Sequence, residues 1–138
     1  MIKDFWLNLP VKNISKSKEF FTHMGFKFNN NYGITENSLS LVIGDQKVIL
    51  MLFDEPTFKG FINSEITDAH QYAEILLSID AQNKEEVDEM AKRAIEAGGK
   101  SNHVPTEMDG WMYGCIFSDL DGHRWNVLYM DMTKMPKG

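Results

Sequence analysis

FWLNLPVKNISKSKEFFTHMGFKF, residues 5–28, carries the pattern that decides the fold. Phe5, Leu7, Leu9 and Val11 form one apolar face while Trp6, Asn8 and Pro10 point the other way, the period-two signature of a strand. Pro10 cannot donate to a ladder, so this strand lies near a sheet edge or close to its own end. Asn13 or Ser15 can cap a following helix in which Ile14, Phe20, Phe21 and Met24 share one side, and Gly25 stops it. The lysines opposite that side form its solvated face. Downstream, Phe26 to Asn30, Ser38 to Ile43 and Lys47 to Asp54 read as strands. A turn-rich loop, Asn31 to Asn37, joins the first two, and Gly44-Asp45 makes a hairpin of the last two.

The same order then returns. Tyr72 to Asp80 reads as a strand, and Asn83 with Glu86 forms a capping box. The helix behind it carries Val87, Met90, Ala91, Ala94 and Ile95 on one stripe and ends at Gly98-Gly99. Lys100 to Val104, Met112 to Ser118 and Arg124 to Met130 complete the unit, the last two joined by an Asp119 to Gly122 turn. The expectation is one α+β domain over residues 1–138, with a first module at 1–54, a connector at 55–71 packed on the body, and a second module at 72–138.

Bulk properties narrow the function classes. The chain has 138 residues, 43% hydrophobic and 25% charged, an ordinary globular balance for one domain. Its formal charge is -6, and the basic residues are scattered rather than striped, so a nucleic-acid partner is not expected. No stretch approaches the roughly eighteen apolar residues of a membrane span. Asp4 interrupts the start, no cleavage site follows, and the single Cys115 cannot form an internal bridge. The chain therefore reads as cytoplasmic, with no membrane partner. Cys115 reads as a small buried hydrophobe rather than a nucleophile.

LPVKNISKSKEFFTHMGFKF (9–28) and FSDLDGHRWNVLYMD (117–131), with YAEILLSIDAQNKEEVDEMAKRAIEAGGK (72–100) between them, resemble the vicinal oxygen chelate superfamily of glyoxalases, bleomycin-resistance proteins and extradiol dioxygenases. The resemblance is closest to predicted lactoylglutathione-lyase-related proteins and spans essentially the whole chain. It implies two βαβββ modules forming curved mixed sheets around a cavity, and a homodimer. It does not name an activity, because the superfamily holds isomerases, dioxygenases, transferases, epimerases and non-catalytic drug-binding proteins.

In metal-dependent members, ligands come from the first, fourth, fifth and eighth strands. Matching strand by strand places Trp6 where a His is usual, Leu50 near a Glu position, Glu74 at a second His position and Asn126 at the final Glu position. A divalent metal needs several imidazole, thiolate or carboxylate donors at about 2 Å, and this set offers one carboxylate and one amide. The expected cofactor is therefore none, with a divalent metal the disfavoured alternative. His23, on the helix, and His123, at a hairpin end, read as surface or turn residues. Alternation along the strands then assigns Trp6, Asn8, Leu50, Leu52, Leu76, Ser78, Asn126 and Leu128 to a ligand-binding wall. The Thr106 to Trp111 loop can fold over that wall, with Trp111 as a stacking surface, or form a surface hairpin anchored by Trp111.

Two functions compete. In one, a divergent lyase or isomerase uses Glu74 as its catalytic proton-transfer group, with burial among Leu50, Leu76 and Trp6 raising its pKa. In the other, similar to the bleomycin-resistance branch, the protein binds and sequesters a small organic molecule without turning it over.

Overall fold

The computed structural model describes residues 1–31 and 34–137. Tyr32 and Gly33 of the expected Asn31 to Asn37 loop lie outside the described residues. The fold is α+β, two βαβββ modules, each with a four-stranded mixed sheet. The chain divides into two compact units, Met1–Asp68 and Ala69–Gly138, and the break falls inside the expected connector.

The first unit runs β1 (Trp6–Val11), α1 (Ile14–His23), β2 (Lys27–Phe28), β3 (Ser38–Ile43), β4 (Val48–Asp54) and α2 (Glu55–Ile62). Its strands lie in the order β1-β4-β3-β2, with β1 and β4 parallel and the other pairs antiparallel. The Asn13 side chain accepts from Lys16 N at 2.9 Å and so caps α1. At the other end Phe26 N reaches Phe21 O and Gly25 N reaches Thr22 O, a Schellman closure that requires the positive φ of Gly25. Ser17, Phe20, Phe21 and Met24 are buried against one sheet face, which supplies Leu9, Val11, Leu39, Leu41, Leu50 and Leu52. This is the core of the unit, and it occupies only the sheet face that α1 covers.

The first half of the connector, to which the sequence reading assigned no element, is a helix. Asp54 accepts from Thr57 N at 3.0 Å, Pro56 occupies the first turn, and Asn63 closes α2 in the left-handed region. Phe61 meets Phe53 edge to face at 4.9 Å, the contact that draws α2 onto its own sheet.

The second unit runs β5 (Leu76–Asp80), α3 (Lys84–Glu96), β6 (Lys100–Met108), β7 (Met112–Ser118) and β8 (Arg124–Met130), in the order β5-β8-β7-β6. Asn83 caps α3 through Glu86 N at 2.8 Å, and Glu86 reaches back to Gln82 N. Gly98 and Gly99 repeat the Schellman closure of the first helix. Val87 and Ala94 pack over Cys115, Phe117, Trp125 and Val127, with the Phe117 and Trp125 rings stacked at 6.3 Å. Ile95, expected on this stripe, is 53% exposed. Its position at the edge of the stripe, in the last turn, carries it past the sheet.

Candidate functional site

Strand register decides which side chains can meet a ligand. In the parallel pair of β1 and β4, Trp6 stands beside Ile49, Asn8 beside Met51 and Pro10 beside Phe53, while Leu7 and Leu9 stand beside Leu50 and Leu52. Neighbours across a ladder share a face. Trp6 and Asn8 therefore share the face opposite α1 with Ile49, Met51 and Phe53, the residue that Phe61 of α2 meets. Leu50 and Leu52, expected on that wall, point the other way and are 1% and 0% exposed beneath α1. This corrects the expectation, and the cause is parity: VILMLF is apolar at every position, so nothing in it marks which alternate set faces the helix.

A depression of about 450 Å³ opens on the face of the first unit opposite α1. Asp4, Phe5, Trp6, Lys47, Ile49, Met51 and Phe53 line it, and Trp6 is 55% exposed. Ser40, the cross-strand neighbour of Met51 on the same face, is fully buried, and its hydroxyl has no hydrogen-bond partner. Residue patterning missed Asp4, Phe5, Lys47, Ile49, Met51 and Phe53. For Ile49, Met51 and Phe53, only the register of β4 against β1 could have found them.

In the second unit, Leu76, Ser78, Asn126 and Leu128 share the face opposite α3, as alternation had it. Asn126 Nδ2 donates to Ser78 Oγ at 3.2 Å, so two of these side chains form a polar pair between exposed Leu76 and half-buried Leu128. Gly114 adjoins Leu128 on this face, and a Cβ there would meet Val127 O at 2.7 Å. Glu74 lies ahead of β5, outside any strand, and is exposed. Leu76 beside it is 51% exposed, so its own unit does not give Glu74 the apolar surround that the catalytic role requires.

The Thr106 to Trp111 segment is a hairpin rather than a lid. Thr106 to Met108 belong to β6, and Asp109 and Gly110 take positive φ in a two-residue turn. Trp111 is half-buried, its carbonyl accepting from Asp131 N at 2.7 Å. The Asp119 to Gly122 turn is also structural. Asp119 accepts from Asp121 N, His123 N and Trp125 Nε1 at 3.0–3.1 Å, and is 4% exposed. Burial pushes its carboxyl above the ordinary range, while His123 and these donors pull it back. Burial pushes the Cys115 thiol up to about 11, which removes it as a nucleophile.

Donor chemistry on these faces does not suit a divalent ion. Trp6, Asn8, Ile49 and Met51 offer an indole, an amide, an aliphatic chain and a weak thioether, Asp4 gives a single carboxylate, and Asn126 adds a second amide. Among the described residues no three His, Cys, Asp or Glu gather in a group that could hold a metal. Among them, too, no helix is long and apolar enough to cross a membrane.

The model of the Glyoxalase/Bleomycin resistance protein/Dioxygenase superfamily matches residues 5–127. A hypothetical protein from S. aureus is 32% identical, with a TM-score of 0.83 and coverage of 94% of this chain and 95% of that one. A glyoxalase-related enzyme from Fulvimarina pelagi is 14% identical, with a TM-score of 0.80 over 100% and 94% of the two chains. A genomically encoded fosfomycin resistance protein from Listeria monocytogenes is 16% identical, with a TM-score of 0.67 over 100% and 97%. The last two likenesses are of fold alone. A search of curated proteins finds no match.

Proposed function

We propose, for a chain that belongs to the Glyoxalase/Bleomycin resistance protein/Dioxygenase superfamily, that it binds a small organic molecule on the sheet faces opposite α1 and α3 without a resident metal. The depression lined by Trp6, Ile49, Met51 and Phe53 carries this reading. Its volume lies within the range of small-molecule sites, and an exposed indole over aliphatic side chains favours an organic guest. Binding without turnover fits better than lyase or isomerase chemistry. An exposed Glu74 lacks the burial that would prepare it as a general acid or base, and the donor set supplies no electrophile.

The test is thermal stabilisation of the intact chain across a library of aromatic, cationic, anionic and zwitterionic compounds, followed by assay of any hit for conversion. Stabilisation by at least one class, lost in Trp6→Ala and without product, supports the proposal. Stabilisation by none overturns it, as does isomerisation of a glutathione-methylglyoxal hemithioacetal that Glu74→Gln abolishes. Zn, Ni, Co, Mn or Fe should leave the melting temperature unchanged, and a tightly bound ion contacting Glu74 and Asn126 would contradict the metal-free reading.

A further inference from the structure

We infer that the depression of the first unit takes a flat aromatic molecule bearing one uncharged hydrogen-bonding group, and that the Ser40 hydroxyl meets this group once Met51 swings aside. The inference rests on the small-molecule reading above and deepens it. Leu39 and Leu41 are buried beneath α1, so alternation along β3 turns Ser40 to the opposite face. There Ser40 stands beside Met51, which in turn stands beside Asn8, and Met51 lines the depression. Ser40 is thus one strand away from the floor, on the same face.

Its hydroxyl is fully buried and has no hydrogen-bond partner. Such a group has given up water without a replacement, so a guest atom that reaches it recovers a bond that the free chain lacks. Met51 is the neighbour able to yield, because its unbranched side chain turns about three bonds and is 9% exposed at the floor. Phe5, Trp6 and Phe53 line the same depression, and three aromatic side chains favour a flat ring as guest. The group against Ser40 must be uncharged, since one hydroxyl beside a thioether cannot replace the hydration of an ion. Asp4 and Lys47 also line the depression, but they are exposed and of opposite sign, so they select no net charge.

Equilibrium dialysis of the intact chain against 2-naphthamide, 2-naphthoate and naphthalene tests this with one ring system carrying a neutral, a charged and no polar group. 2-Naphthamide should bind tightest, with naphthalene weaker by roughly fivefold, the scale of one net hydrogen bond, and 2-naphthoate weaker than 2-naphthamide. Ser40→Ala should bring 2-naphthamide down to the affinity of naphthalene and leave naphthalene unchanged, with its urea midpoint showing that the variant is folded. Equal affinity for 2-naphthamide and naphthalene overturns the Ser40 contact, as does an equal loss of both in Ser40→Ala. Either result, where Trp6→Ala still abolishes binding, leaves the broader proposal standing. No binding of any naphthyl probe, by a chain that the library shows to bind another class, overturns the aromatic guest alone. Stabilisation by no compound of the library overturns both readings.

Discussion

Tyr113 donates to Asp88 Oδ1 at 2.6 Å, joining β7 to α3 on the second unit's surface, and this bond, with lesser help from desolvation and the Asp88 charge, pushes the phenol up to about 12. The folded chain therefore holds the phenolic proton more tightly than the unfolded chain does. The stabilisation is fully present below pH 10 and is lost as pH rises from the ordinary value of 10.0 through about 12. Tyrosinate absorbance should show one group ionising later than the rest, absent in Tyr113→Phe and moved to lower pH in Asp88→Asn. A single titration step at the ordinary value would contradict the bond. Ser40 makes the opposite kind of prediction. Its hydroxyl is buried without a partner, so Ser40→Ala should raise stability by about 1 kcal/mol, read as a higher urea midpoint. A loss of stability would mean that the hydroxyl has a partner in solution.

At the scale of elements, the turn before β8 depends on a residue without a side chain. Gly122 has φ 88, and a Cβ there would lie 2.6 Å from His70 N and 2.7 Å from the Ala69 carbonyl carbon. Gly122→Ala should cost about 2 kcal/mol or more, combining left-handed strain with a backbone clash. Gly60 lies within α2 with nothing near its missing Cβ, so Gly60→Ala should instead stabilise by about 0.5–1 kcal/mol. Urea midpoints of the two variants should move in opposite directions, and movement in the same direction would refute this account. Helix ends were legible in the residues, because an Asn cap and a terminal glycine act through their own backbone neighbours. The face of β4 was not, since Leu50 and Met51 are equally apolar and only pairing with β1 assigns them to opposite sides. Helix α2 was missed for a related reason: its Pro56 and Gly60 read as loop residues, while Asp54 capping and the Phe53–Phe61 contact sustain the helix.

For the whole molecule, a homodimer is the expected assembly. Phe5, Phe61 and Tyr72 are each more than 60% exposed, and apolar surface of that kind invites a second copy. Light scattering at micromolar concentration should give about twice the 15.9 kDa chain mass, and a mass near 15.9 kDa would reject the dimer. Phe58 and Trp111, whose segments the sequence also offers for such an interface along with Phe61, are half-buried within the chain. By itself the sequence determined the repeated strand-helix-three-strand order, the Asn83 cap, both glycine closures, and the shared face of Leu76, Ser78, Asn126 and Leu128, while the first cap stayed open between Asn13 and Ser15. These depend on local periodicity and on the preferences of single residues. Tertiary structure alone decided that Ile49 and Met51 rather than Leu50 and Leu52 join Trp6, and that Glu74 lies ahead of β5 and stays exposed. The first follows from the register between strands distant in sequence and the second from where the pairing of β5 with β8 begins, and no local pattern encodes either.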